Sequence, residues 1–211
     1  MLALYKGGVG EYEEKKSRFI ATIEPVSSEE EASAFITGIR KKYYDARHNC
    51  SAYVIGDNGE KTRCSDDGEP SGTAGRPMLE VLTGAGVTNV CVVVTRYFGG
   101  TLLGTGGLVR AYTQAVKEAL ADCTVIDRKQ GFRVEFTCDY NDFEKIRYMA
   151  GQKGYHITGT DYGENVRISF VADDPSKLEA EITDLTAGRA SCIEPVPVSY
   201  AIVDEKVMIM D

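Results

Sequence analysis

The chain has 211 residues, 43% hydrophobic and 27% charged, ordinary proportions for a folded globular protein. That length suffices for one large or two small domains, with enough buried surface to fold without staples. Against 32 Asp and Glu, the 24 Lys and Arg leave a net charge of -8, which excludes a chain-wide basic coat for nucleic acid and confines any such contact to a local patch.

No apolar run reaches the roughly 18 residues of a membrane helix. The start, MLALYKGGVGEYEEKK, follows a short apolar stretch with acids and does not read as a signal peptide. The six cysteines (Cys50, Cys64, Cys91, Cys123, Cys138, Cys192) form no C-x-x-C pair, and several sit inside apolar runs. That is the pattern of buried thiols in a reducing cytoplasm, not of disulfides or zinc. His48 and His156 are the only histidines, so a His-rich metal site is not available. The sequence implies no cofactor, no metal and no membrane partner.

In chain order, Arg18 to Pro25 alternates apolar and polar and predicts a strand. Ser27 or Ser28 caps a helix that opens on Glu29, Glu30 and Glu31 and runs to about Tyr43, closed by Arg40, Lys41 and Lys42. Cys50 to Ile55 is a second strand, and Asp57-Asn58-Gly59 turns it into a short third near Lys61 to Ser65. A short helix is expected over Pro77 to Thr83. Val90 to Thr95 (VCVVVT) is a continuous β-branched run, expected as a buried central strand. A loop, Arg96 to Gly107, then leads to a helix over Leu108 to Leu120 with an apolar face that includes Ala111, Tyr112, Ala115 and Val116.

The pattern restarts near Val125 to Arg128. Strands are expected over Gly131–Cys138, Tyr155–Tyr162, Val166–Val171 and Pro195–Val203, and helices over Tyr140–Met149 and Pro175–Leu185, the latter capped by Asp173 or Asp174. The order βαββαβ is that of the ferredoxin-like split unit. The expected division is residues 1–127 and 128–211, and neither part is basic.

Half of the 22 glycines fall between Gly59 and Gly107, which marks a loop-rich central region where functional backbone is expected. The segment Arg96-Tyr97-Phe98-Gly99-Gly100-Thr101-Leu102-Leu103-Gly104-Thr105-Gly106-Gly107 holds five of them. It empties into a helix N-terminus, where free amides and the dipole favour an anion, with Arg96 and Arg110 on its flanks. A phosphate is one natural guest; the alternative is a tight strand-to-helix connection with Arg96 paired to a nearby acid. No P-loop pattern is present.

In Ser65-Asp66-Asp67-Gly68-Glu69-Pro70, three acids share a turn. They could hold hydrated Mg²⁺ beside a phosphate, but turn chemistry is the favoured reading; Arg76 extends the local basic patch. In Asp45-Ala46-Arg47-His48-Asn49-Cys50, alternation along a strand argues against a nucleophilic triad. Cys50 is expected in the core, with His48 and Asn49 as exposed ligand contacts. Aromatics beside arginine, such as Tyr97, could stack bases.

Together these segments resemble the YigZ/IMPACT family. The matching residues are Asp45 to Cys50, Ser65 to Pro70 through Gly72-Thr73-Ala74-Gly75 and Pro77, and Arg96-Tyr97-Phe98-Gly99-Gly100 with Leu103-Gly104 and Leu108-Val109-Arg110-Ala111-Tyr112. The resemblance covers the whole chain. It implies an α+β protein with a ribosomal-protein-S5-domain-2-like first domain and a ferredoxin-like second domain, an order of folds similar to the last two domains of elongation factor G. The eukaryotic member that gives the family its name regulates translation by restraining a starvation-responsive kinase. By analogy of fold, the implied role is translation-linked or nucleic-acid-binding.

The leading expectation is a regulator without turnover that grips RNA, the ribosome or a translation factor through a basic, glycine-rich face. Arg47, Arg76, Arg96 and Arg110 would contact phosphate, His48, Asn49 and Tyr97 would flank it, and Gly99, Gly100, Gly104, Gly106 and Gly107 would shape the backbone. The first alternative is a nucleotide- or phosphate-binding enzyme using Asp66, Asp67 or Glu69 as metal ligands or base. The second is a pure protein–protein adaptor in which the glycine loop is architecture.

Overall fold

A computed structural model describes residues 2–203 and 206–210. Residue contacts divide the chain into two compact units, Met1–Ile126 and Asp127–Asp211. The first carries β1 (Leu2–Lys6), β2 (Gly8–Glu14), β3 (Ser17–Pro25), α1 (Glu29–Lys42), β4 (His48–Ile55), β5 (Lys61–Ser65), α2 (Gly75–Gly84), β6 (Val90–Tyr97) and α3 (Gly104–Asp122). Strand β7 (Thr124–Asp127) pairs with β1 in a small two-stranded sheet.

The main sheet runs β2-β3-β6-β4-β5, with every neighbouring pair antiparallel. Strand β6 is central and covered on both faces. On one side Val90, Val92 and Val94 join a core with Phe19, Met78, Leu82, Tyr112 and Val116 under α2 and α3. On the other side Cys91 packs with Tyr53, Ile55 and Ala32 under α1. Burial on both faces is why VCVVVT shows no polar alternation. Helix α1 starts where Ser28 Oγ accepts from the Glu31 amide, satisfying a donor the helix leaves open, and Glu31 reaches back to the Ser27 amide just ahead of the cap.

Strands β1 and β2 were not expected from the sequence. Gly8 and Gly10 dilute the strand signal of β2, yet the missing side chains are required there. A Cβ at Gly10 would lie 2.2 Å from the Ala119 amide nitrogen of α3, so the close helix–sheet approach dictates the composition. Helix α3 also begins at Gly104 instead of Leu108, which draws Gly104, Gly106 and Gly107 out of the loop and into its first turn.

The second unit carries β8 (Lys129–Cys138), α4 (Tyr140–Lys153), β9 (His156–Tyr162), β10 (Val166–Ala172), α5 (Pro175–Thr186), β11 (Ser191–Val203) and β12 (Lys206–Met210). Its sheet order is β12-β11-β8-β10-β9, antiparallel throughout. Without β12 this is the fourth, first, third and second strand of a βαββαβ chain, the ferredoxin-like arrangement. Phe136, Ile168 and Phe170 meet Phe143, Ile146, Leu178 and Ile182 of the two helices in one core. Asp139 and Asp174 cap α4 and α5, each accepting a backbone N–H three residues on. Strand β12 is an added edge beyond the expected βαββαβ order. Two α+β units are thus what the sequence implied.

Candidate functional site

Where the end of β6 faces the start of β4 and the N-terminus of α3, a cavity of about 570 Å³ opens in the first unit, within the roughly 300–1,000 Å³ range of small-molecule sites. Pro70, Phe98, Leu102, Leu103 and Leu108 form its apolar wall; Asp45, Arg47, His48, Glu69, Arg96 and Tyr97 supply the polar groups. Phe98 and Leu102 stand 54% and 83% exposed.

Beneath the cavity lies a buried polar chain. Arg96, only 7% exposed, donates from Nη1 to Glu69 Oε1 at 2.6 Å. The Tyr112 hydroxyl donates to the same oxygen at 2.8 Å. Cys50 Sγ lies 3.3 Å from the Tyr112 oxygen and 3.0 Å from the Asp66 carbonyl oxygen. Burial drives the Tyr112 phenol far above its ordinary value, so it keeps its proton and acts as a donor. Burial also pushes the Cys50 thiol up to about 12. A thiol held there is not a nucleophile, in line with its expected place in the core. The Arg96 guanidinium also lies against two rings, 5.5 Å from the Phe19 centroid and 5.8 Å from that of Phe98.

Arg96 follows the alternative given for it, a pairing with a nearby acid, and not the phosphate-contact reading. It is not an exposed phosphate contact; its charge is compensated by a buried carboxylate, since an unpaired guanidinium at that depth would be costly. Arg76 and Arg110 are exposed but outside the cavity wall, and Arg76 pairs with Glu80 one turn along α2. Of the four arginines, only Arg47 and Arg96 line the cavity. Only Arg47 combines exposure with a place in the wall, and it makes no hydrogen bond or ion pair among the described residues.

Asn49 also departs from its expected role. Its side chain is buried and accepts from the Thr95 hydroxyl at 2.7 Å, while its amide donates to Asp67. His48 does face the cavity. Its Nδ1 is 2.9 Å from the Asp67 carbonyl oxygen; a carbonyl can only accept, so Nδ1 donates and Nε2 is left for a ligand. Tyr97 lines the wall and donates to Asp45 at 2.8 Å.

The acidic turn is occupied by the protein's own groups. Asp66 accepts from the amides of Gly72, Ala74 and Gly75 and so closes the start of α2. Burial works to raise its carboxyl, but those three amides outweigh it and hold the group below the ordinary carboxylate value. Asp67 is paired with Arg40 at 2.7 Å, a partner the sequence did not point to. Glu69 is spent on Arg96 and Tyr112. None of the three is placed as a metal ligand or an open base, and among the described residues no group of three or more His, Cys, Asp or Glu could hold a metal ion.

Of the glycines, Gly99 has the plainest task. A Cβ there would sit 2.0 Å from the Lys16 carbonyl carbon, and its amide donates to Ser17 Oγ at 3.1 Å. It locks the loop onto the β2–β3 turn. Gly100 remains in the loop, Gly104 lines the cavity at the head of α3, and Gly107 is buried under Leu103. The apolar wall was missed because Phe98, Leu102 and Leu103 read as ordinary loop residues. Three such residues within six positions of a glycine-rich loop were the available signal.

The Impact N-terminal domain matches residues 15–120, which contain the whole cavity wall, and a domain of unknown function, DUF1949, matches residues 136–189. The chain is similar to the IMPACT family member YvyE of Bacillus subtilis, 43% identical over 85% of this chain and 84% of that one. It is similar to the IMPACT family member YigZ of Escherichia coli at 40% identity over 82% and 87%. A crystal structure described as that of a hypothetical protein superposes with a TM-score of 0.60 at 37% identity, covering 92% of this chain and 97% of that one. With both domain matches in order and relatives aligned over most of their length, the chain belongs to the IMPACT family.

Proposed function

We propose that the protein is a translation-linked regulator without turnover. Its first unit engages a protein surface of the ribosome or a bound translation factor across the cavity at the head of α3. The observation that carries this reading is the exposed apolar lip, Phe98 and Leu102, set above a guanidinium already neutralised by Glu69. Large exposed apolar side chains beside a concave wall favour a protein partner. A phosphate backbone would need several free cations in one place; among the described residues, the cavity wall offers one, Arg47. The translation link comes from the family resemblance. A catalytic reading finds little support, because Cys50 keeps its proton and Asp66, Asp67 and Glu69 are engaged internally.

The test is co-sedimentation with ribosomes isolated without a high-salt wash, so that bound factors stay with them. Wild-type protein is expected in the ribosomal pellet and the Phe98→Asp/Leu102→Asp double variant in the supernatant, with modest salt dependence. Equal pelleting of the two would refute the reading. Affinity that collapses between 50 and 200 mM salt, as several phosphate contacts would require, would return the site to RNA.

A further inference from the structure

Resting on that reading, we infer that the cavity receives a single carboxylate carried beside an apolar side chain, the chemistry found at the C-terminal residue of a polypeptide. Two independent features border the same space. The first is the N-terminus of α3, a helix of 19 residues whose cap position is Leu103, with no side-chain hydrogen bond to its opening amides. Leu103, Gly104 and Thr105 line the cavity, so donors that the helix cannot satisfy internally border it. The second is Arg96, 7% exposed and part of the same wall, whose Nε has no hydrogen-bond partner. Buried donors without partners are rare, and each calls for an explanation. Phe98, 54% exposed, lies over that guanidinium with its ring centroid 5.8 Å away.

Charge decides between a carboxylate and a phosphate ester. Arg96 and Glu69 cancel, and Asp45, held by Tyr97, offsets Arg47. What remains is the roughly half positive charge of a helix start. One negative charge suits that balance; a dianion would leave excess charge beside Asp45 and Glu69. The rest of the guest must be apolar, because Pro70, Phe98, Leu102, Leu103 and Leu108 supply most of the wall. His48 Nε2, left open by the Nδ1 bond to Asp67, can accept an N–H such as the amide beside a terminal carboxylate. Backbone amides that capture a chain end while a pocket takes the last side chain are a recurrent mode of peptide recognition.

Calorimetric titration of the full chain tests this with four probes: N-acetyl-L-phenylalanine, its amide, and a decapeptide ending in phenylalanine with a free or an amidated terminus. The acid is expected to bind at least about tenfold more tightly than the amide, the effect of one charge-assisted contact set. Thr105→Asp, which sets a carboxylate among the opening residues of α3 that line the cavity, should remove most of that ratio. If the free-terminus decapeptide matches the acetyl acid, the source is a chain end. If only the small acid binds, it is a free acid of the same chemistry. Acid and amide binding equally, or neither binding at millimolar concentration, would overturn the inference. Ribosome co-sedimentation that persists while the acid fails removes this inference and leaves the proposed function. Loss of co-sedimentation with acid binding intact does the reverse.

Discussion

Each unit buries a carboxylate against positive charge, and the two treat it differently. In the second unit Asp142, near the start of α4, is 1% exposed yet accepts from Arg189 through Nε and Nη2, both at 2.8 Å, and from Lys145 at 2.8 Å. Both cations stay about half exposed, so they keep much of their water, and the cluster ties α4 to the residues after α5. In the first unit both partners are submerged, with Arg96 and Glu69 side chains only 8% and 3% exposed. Such a pair is weak evidence of stabilisation, because desolvating both ions costs about what their attraction returns. The pair lies against the cavity wall, with one guanidinium nitrogen unpartnered. The Asp142 cluster leaves its cations in water at helix ends; the Arg96–Glu69 pair is submerged under an open wall.

The largest effect should come from breaking the dry pair. Glu69→Ala leaves Arg96 buried and unpaired, at a cost of about 3–5 kcal/mol, read as a lower midpoint in denaturant unfolding. Adding Arg96→Met to that variant should recover most of the loss; no recovery would show that Glu69 acts through Tyr112 alone.

Next is Gly99→Ala, where a Cβ would strike the Lys16–Ser17 backbone. About 1–3 kcal/mol of overpacking cost is expected, seen in the same unfolding measurement, and a neutral result would mean that the loop is not seated on the β2–β3 turn.

The hydrated cluster should show itself through pH. The Arg189 hydrogen bonds, then that of Lys145, hold the Asp142 carboxyl at about 2, below its ordinary 3.8. A depressed value means stability that is present above the unfolded value near 3.8 and lost as pH falls toward about 2. Thermal unfolding between pH 5 and 2 should therefore drop less steeply for Asp142→Asn than for wild type, and parallel curves would contradict the assignment.

The smallest effect is a gain. Gly38 lies exposed within α1 and a Cβ there meets nothing within 4 Å. Gly38→Ala should raise stability by up to about 1 kcal/mol through helix propensity.

The same contrast explains what the sequence displayed. The βαββαβ order of the second unit was legible because each element carries its own period and its own cap, as with Asp139 before α4 and Asp174-Pro175 before α5. The double-sided burial of β6 was legible from its unbroken β-branched run. Strand β2 was not, because its glycines answer to α3, more than a hundred residues away, and local pattern does not carry that contact. At the site, the glycine-rich segment and His48 stood out, and Arg47, also named, lines the cavity wall. The fates of the other arginines were hidden, because a guanidinium reads the same whether a carboxylate waits beside it or water does. Glu69 follows two acids in a turn and read, like them, as turn chemistry or as a metal ligand or base. Only its partnership with Arg96 and Tyr112, contributed by β6 and α3, distinguishes it.

The most direct test sets the apolar lip against the exposed arginines. Pelleting of unwashed ribosomes would be compared for wild type, Phe98→Asp/Leu102→Asp and Arg76→Ala/Arg110→Ala at one fixed salt concentration. Loss of binding in the lip variant alone, by about tenfold or more, is the predicted result; loss in the arginine variant with the lip variant unaffected would contradict it.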